Sequence, residues 1–431
     1  MTEFHYTACA QDIIFGPGAV ARLGEAIDRF GWRRLMLCAA GSARRGGRVA
    51  QIEAALGERL AATYERVQPH VQDFQVAEAL DLAAEKEVDA VIGLGGGSPI
   101  GMAKAVSAAL AEKHASKPAR EGQAEVGAGL APAHPSSLAP AHPSSLAPAH
   151  PSSQARVGQA QMGQMQMGQT QGAAPTPVVA IPTTYAGSEM TPVYGVTHTR
   201  ENPPRKVTVN DPRIAPKLVI YDPQLTLDLP PEMTASTGVN ALAHCIEALY
   251  SITRHPLSTA AALGGMRCIV RALPRCYAAG GDLDARTDML IGAHLAGTAL
   301  ASVSMALHHG LCHVLGGTAG VPHGIANAIV LPHAMRFNAD AAAWGPQAAE
   351  AMSLPADRLH PLAAAQAAAQ SVSDLVGQMN LPQRLRDAGV ALREADLPRL
   401  AELAFQNRAV RNNPKPIADP AQIEVLLRAM W

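Results

Sequence analysis

Imidazoles spaced for a shared site mark two stretches of the chain. One reads Leu307-His308-His309-Gly310-Leu311-Cys312-His313, with Val321-Pro322-His323-Gly324 just beyond it. The other, upstream, reads Ser236-Thr237-Gly238-Val239-Asn240-Ala241-Leu242-Ala243-His244. Asn240 and His244 are four residues apart, as are His309 and His313, so on helices each pair shares a face. Histidines converging from two helical segments suit a metal centre or an acid–base site, and equally a hydrogen-bonded core. His308 is turned about 100° around the helix from its neighbour and is expected to face away from His309.

A second chemical signal is Gly95-Gly96-Gly97-Ser98, at the end of the apolar run Val88–Leu94 and the start of a helical pattern. Glycines let the backbone approach a pyrophosphate, and a helix N-terminus supplies free N–H groups and a favourable dipole. The stretch is neither GxGxxG nor a Walker loop. Thr183-Thr184 follows another apolar run, Val178–Ile181, and adds hydroxyl donors at a second loop of the same sheet edge, where open sheets bind ligands. The run Leu35–Ala39 ends in Ala40-Gly41-Ser42-Ala43-Arg44-Arg45. It lacks the carboxylate that would hold a ribose 2′-hydroxyl, and Ser42 or Arg44 is placed to receive a 2′-phosphate.

The elements that must position these groups follow a strand–helix rhythm. A short apolar run at Asp12–Phe15 ends in Gly16-Pro17-Gly18, and a helix follows from Ala19 to about Phe30. A strand at Leu35–Ala40 leads to a helix through about Leu60, then come a weaker strand near Ala62–Val67 and a helix over Val76–Lys86. Such alternation predicts an α/β fold with a parallel sheet over residues 1–229. From Pro231 the pattern turns to long Ala/Leu-rich helical periodicity, which predicts an all-helical domain over 230–431. Between the two signals, residues 115–176 carry Leu-Ala-Pro-Ala-His-Pro-Ser-Ser three times in tandem, then a Gly/Gln/Met tract. This low-complexity stretch has no apolar face to bury and reads as a disordered insertion, in which His134, His142 and His150 have nothing to hold them around an ion.

Composition narrows the function. At 431 residues, 48% hydrophobic and 16% charged, the chain has material for two cored domains. A net charge of −1 and 4% aromatics offer no attraction for nucleic acid or an anionic membrane and no base-stacking surface. Six cysteines without CxxC spacing fit a reducing cytoplasm, no secretory signal is legible, and no apolar run reaches the ~20 residues that span a bilayer.

Taken together and in order, Gly95–Ser98, Pro182-Thr183-Thr184-Tyr185-Ala186-Gly187-Ser188-Glu189, Thr237–His244, His309-Gly310 and Pro322-His323-Gly324-Ile325-Ala326-Asn327 resemble the iron-containing alcohol dehydrogenase superfamily. Phe15–Gly18, Arg205-Lys206-Val207-Thr208 and Asn413-Pro414-Lys415-Pro416 resemble its maleylacetate reductase branch. The resemblance covers nearly the whole chain outside 115–176. It implies a nucleotide-binding α/β domain, a helical domain, a cleft active site and a homodimer. It also implies NADH or NADPH held by Gly95, Gly96, Gly97, Ser98, Thr183, Thr184, Ser188 and Lys206, together with Ser42. Metal-dependent members hold their ion with an Asp and three His, and the matching positions here are Asn240, His244, His309 and His323. Asn240 is the departure. An amide brings no charge to a divalent cation, so the resemblance implies a metal-independent reductase of maleylacetate and its substituted analogues, small dicarboxylates. His244, His309, His313, His323 and Asn240 would then serve substrate and proton, with Tyr185 as a weaker proton donor. A metal-dependent alcohol dehydrogenase, a cyclising lyase of similar layout and a catalytically silent nucleotide-binding protein are the competing readings. Steady-state assays are expected to find both NADH and NADPH oxidised; acceptance of NADH with rejection of NADPH would overturn that.

Overall fold

Leu35-Met36-Leu37-Cys38-Ala39 has no polar side chain to turn toward water, and in the computed structural model all five residues are fully buried in one strand. Only a sheet covered on both faces asks for such a run. The structure describes residues 3–115, 174–199, 205–341, 344–355 and 359–431, without side chains at 114–115 and 205–206. The tandem repeat, its histidines and the Gly/Gln/Met tract lie outside the described residues.

The first part of the chain contributes β1 (Asp12–Phe15), α1 (Leu23–Phe30), β2 (Leu35–Ala39), α2 (Gly41–Arg45), α3 (Arg48–Leu56), β3 (Leu60–Tyr64), α4 (Asp73–Glu85), β4 (Ala90–Gly95) and α5 (Gly97–Ala115). It continues with β5 (Val178–Pro182), the hairpin β6 (Val193–His198) and β7 (Arg205–Asn210), and β8 (Leu218–Tyr221). Six strands form a parallel sheet in the order β1-β8-β5-β4-β2-β3. Leu23, Ile27, Val49 and Ile52 of α1 and α3 cover one face, while Ala79, Ala83, Met102 and Val106 of α4 and α5 cover the other. The chain leaves β2 outward to β3 and returns to β4 on the opposite side of β2. That reversal opens a crevice between the carboxyl ends of β2 and β4.

Two expected boundaries shift for local reasons. The single helix expected after β2 is broken into α2 and α3 at Gly46-Gly47, where Gly47 has a left-handed φ of 74°. The helix expected from Ala19 opens as a 3-10 turn over Ala19–Arg22 before α1 begins.

The remainder is helical among the described residues: α6 (Pro231–Tyr250), α7 (Pro256–Ala278), α8 (Leu283–Ser302), α9 (Leu307–Ala319), α10 (His323–Phe337), α11 (Gly345–Ala351), α12 (Pro361–Gln378), α13 (Leu397–Gln406), α14 (Arg408–Arg411) and α15 (Pro420–Ala429). From Thr234 to Tyr250 every residue of α6 except Thr237 is buried, which makes α6 the central helix of this part. Polar side chains on it therefore need partners inside the protein. His255, outside the site, is a buried N-cap of α7: Ser258 N–H donates to its Nδ1, and Phe4 stacks on its ring. No single helix among the described residues is long and apolar enough to cross a membrane.

Where the phosphate-type turn meets the sheet, packing leaves no room for a side chain. A Cβ on Gly93 of β4 would sit 2.7 Å from the Ile100 Cα and 2.9 Å from the Pro99 carbonyl oxygen, both in the first turn of α5. Gly93→Ala is expected to lower stability by about 1–3 kcal/mol, the usual cost of overpacking, measured by urea denaturation. A change below about 0.3 kcal/mol would mean that α5 can lift off β4 freely.

Candidate active site

The carboxyl ends of β2, β4 and β5 carry most of the residues expected at a nucleotide. Gly95 ends β4 with φ 137°, Gly97 faces open space, and Ser98 follows in the first turn of α5. Thr183 N–H donates to the Gly95 carbonyl at 3.0 Å. Thr184 lies against the turn, its Oγ1 3.1 Å from where a Gly96 Cβ would stand. Ser42 is exposed on α2, at the carboxyl end of β2. Arg44 is not free for a phosphate: it forks onto Glu53 at 2.7 and 2.9 Å and onto Glu65. The guanidinium beside Gly41 at this edge is that of Arg45, with Nη1 3.4 Å from a hypothetical Gly41 Cβ. Lys206 lies on β7, and its side chain is outside the described residues.

The second group is built by three helices. Asn240, His244 and Glu247 lie along one face of α6, at spacings of four and three. His308, His309 and His313 come from α9, and His323 opens α10. The His244 and His309 rings stack at 4.9 Å between centroids. His313 and His323, both exposed, stack at 6.2 Å and stand 6.3 and 6.4 Å from His309. The structure thus brings together Asn240, His244, His309, His313 and His323, buried at the α6 end and open at the α10 end.

Charge within the group is scarce. Glu247 is fully buried and spends both oxygens: Oε1 accepts from the N–H groups of Ala306 and His308 at 3.2 and 3.1 Å, and Oε2 lies 2.5 Å from His309 Nδ1. Burial raises the Glu247 carboxyl and lowers His309 to about 4 and His308 to about 3; it also holds His244 well below the usual range, reinforced by neighbouring imidazoles. Asn240 Nδ2 donates to the Ala186 carbonyl at 3.4 Å. Asn240 Oδ1, His244 Nδ1 and His309 Nε2 are buried without a partner. Buried polar atoms are nearly always satisfied, so three orphans in one group are places for a ligand. His308 corrects the sequence expectation. Its ring lies 3.1 Å from His309 between the Nδ1 atoms, and its backbone N–H donates to Glu247.

One loop joins the two groups. After β5, Thr184 touches the glycine turn, Tyr185 N–H reaches Thr237 Oγ1 at 3.5 Å, and Ala186 meets Asn240. Gly187, with φ 75°, stands so close to His244 that a Cβ would be 3.4 Å from its Nδ1. Two buried cations fasten this loop. Lys104 Nζ donates to the carbonyls of Ser188, Thr191 and Val193 at 2.6, 2.7 and 3.1 Å. Arg286 Nη1 donates to the Tyr185 hydroxyl and to Thr234 Oγ1, each at 2.9 Å. Tyr185 is fully buried with its phenol raised to about 12, so the hydroxyl serves packing between layers instead of facing the imidazoles. Ser188 contributes its carbonyl to Lys104.

Glu247, Lys104 and Arg286 were missed from sequence, yet each carried a signal: a charged residue inside an apolar helical run. Glu247 in particular sits three residues past His244, on the face that already bears Asn240.

Comparison with known proteins agrees with this layout. The iron-containing alcohol dehydrogenase model matches residues 10–145 and 150–223, and the C-terminal model of the Fe-containing alcohol dehydrogenase family matches 234–431. A maleylacetate reductase of Pseudomonas knackmussii is 34% identical over 96% of this chain and 94% of its own. The crystal structure of maleylacetate reductase from Agrobacterium tumefaciens superposes with a TM-score of 0.75 at 29% identity, covering 100% of this chain and 99% of that one. A 1,3-propanediol oxidoreductase structure gives a TM-score of 0.81 at 27% identity, with both chains fully covered. The glycine turn, the loop after β5 and the imidazole group therefore belong to one inherited scaffold, and this chain is a member of the iron-containing alcohol dehydrogenase family.

Proposed function

We propose that this chain reduces the carbon–carbon double bond of maleylacetate to 3-oxoadipate, using NADH or NADPH and no metal. The observation that carries the reading is Asn240. Its amide stands where the metal-dependent members carry an aspartate, and its Oδ1 is buried and unpartnered.

The donor set argues against a divalent ion. Asn240 and three imidazoles are neutral, and the nearby carboxylate, Glu247, is spent on His309 and on two backbone N–H groups. Glu247, His308 and His309 do have ligand atoms within 4.8 Å of one another. Those atoms are knit together already, with His308 Nε2 on the Asn327 carbonyl at 3.3 Å, so an ion there would have to break each contact. A hard cation prefers anionic oxygen, which this frame does not offer.

The chemistry asks for none. Hydride from the dihydronicotinamide adds to the alkene carbon β to the ketone, and the π electrons move onto the ketone oxygen as an enolate. A proton then reaches the α-carbon, leaving 3-oxoadipate and the oxidised nicotinamide. The enolate charge is spread and can be held by hydrogen-bond donors. The cofactor's phosphates are assigned to Gly95–Ser98 and Thr184, and the substrate to the imidazoles, with His313 and His323 on the open side. Burial keeps His244 and His309 neutral at rest, so the proton is assigned to enter from the open side, where His313 and His323 lie, and to pass through an imidazole that takes it up and hands it on.

A metal-dependent alcohol dehydrogenase is the second reading, favoured by the 1,3-propanediol oxidoreductase likeness and the Glu247–His308–His309 group. NADH consumption with maleylacetate, with and without chelator, separates the two. Full activity in chelator is expected, whereas loss restored by Fe²⁺ or Zn²⁺ supports the dehydrogenase. Asn240→Asp is expected to retain Fe²⁺ or Zn²⁺ through gel filtration where the natural chain does not, read by elemental analysis. Equal metal content in both would show that position 240 does not govern the frame's charge.

A further inference from the structure

We propose that Glu247 is a positioning residue: it fixes the proton of His309 on Nδ1 and so leaves Nε2 as the lone pair offered to the ligand. The proposal rests on the reductase reading for its catalytic consequence, but its structural part stands on hydrogen-bond accounting alone.

The accounting starts from atoms with one possible role. A backbone carbonyl only accepts, so His308 Nε2, 3.3 Å from the Asn327 carbonyl, carries the hydrogen there. A neutral imidazole has one N–H, so His308 Nδ1 is bare. That bare nitrogen lies 3.1 Å from His309 Nδ1. Backbone N–H groups only donate, so Glu247 Oε1, which receives those of Ala306 and His308, acts as an acceptor. The contact between Glu247 Oε2 and His309 Nδ1, at 2.5 Å, therefore needs a hydrogen, and His309 Nδ1 is its carrier when Glu247 is ionised. The partner on the other side, His308 Nδ1, is also an acceptor and agrees with that assignment. His309 Nε2 is left without a hydrogen, buried and unpartnered, beside His244. A carboxylate or carbonyl that orients the outer nitrogen of a functional histidine is a general device for setting its tautomer.

Glu247 reaches this position because it does two jobs with one side chain. It rises from the last turn of α6 and meets the N-terminus of α9, where helix N–H groups have no partner within the helix. The carboxylate satisfies two of them and keeps its second oxygen for the ring. This arrangement also pins the orientation. In Glu247→Gln the side-chain oxygen must stay on the Ala306 and His308 N–H groups, since turning the amide would set N–H against N–H. The amide nitrogen then faces His309 Nδ1 and donates to it, which moves the ring hydrogen to Nε2. A neutral ring with its hydrogen on Nε2 cannot take a proton there, and taking one on Nδ1 would set it against the glutamine amide N–H. His309 would be removed from any proton-handling cycle while the fold keeps its contacts.

The test combines a spectroscopic and a kinetic reading of the full-length enzyme. Nitrogen-15 shifts of labelled histidines are recorded without substrate, and the His309 signals are assigned by their loss in His309→Gln. The expected result is Nδ1–H in the natural chain and Nε2–H in Glu247→Gln. With maleylacetate and NADH, Glu247→Gln is expected to lose about 100-fold or more in kcat, with KM changed less than threefold and an unaltered circular dichroism spectrum. Glu247→Asp, which keeps an anionic acceptor, is expected to recover part of the loss. An Nε2–H ring in the natural chain, or a Glu247→Gln kcat within threefold of it, overturns the proposal. If the natural chain leaves maleylacetate unreduced, the substrate reading falls, and the nitrogen shifts alone decide the role of Glu247.

Discussion

The site depends on two cations kept out of water. Lys104 and Arg286 are fully buried and satisfied by neutral oxygens, Lys104 by carbonyls of the loop and Arg286 by the hydroxyls of Tyr185 and Thr234 and the carbonyls of Leu229 and Gly280. Taking one such charge from water costs several kcal/mol, offset by charge-assisted hydrogen bonds of about 1.5–3 kcal/mol each. Burial lowers the Lys104 ammonium to about 7, against the pull of the buried Glu189 carboxyl. What this balance secures is the loop after β5. Lys104 fastens its far end to α5, the helix that begins at the glycine turn, and Arg286 fastens Tyr185 to α8. Without both, the nucleotide edge and the imidazole group would be neighbours without a fixed geometry.

Much of this was legible in the chain. The strand runs were fully apolar because the parallel sheet is covered on both faces, so β2, β4 and β5 could be placed from composition alone. The four-residue spacings in α6 and α9 put Asn240 with His244 and His309 with His313, and the helices bear those pairs. What spacing could not give was how side chains reach across between helices. His308 leaves its helix in another direction, yet its ring comes within 3.1 Å of His309 between the Nδ1 atoms, a reach that spacing along one helix does not give. Arg44 looked available for a phosphate until Glu53 and Glu65, distant in sequence, closed on it. Charges inside apolar helices were visible in the sequence, but their partners are fixed by tertiary packing.

On the reading proposed above, the scaffold would change its chemistry through one position. Asn240 keeps the size of an aspartate and a contact to Ala186 while removing a negative charge. The group then holds acceptor atoms and neutral rings, with its single acid turned to the task of orienting His309. With its one buried acid already occupied, the inner wall presents no free carboxylate.

The loop after β5 also acts as a ruler. Thr184, at the glycine turn, and Gly187, against His244, are three residues apart, a span of at most about 10–11 Å of chain. Both ends are immobilised, so the separation between the phosphate cradle and the imidazoles is a length written into the backbone. Adding one residue would lengthen it by up to about 3.5 Å, as much as the whole near-attack distance for a group transfer. Sequence drift in this loop thus has little freedom to change the number of its residues.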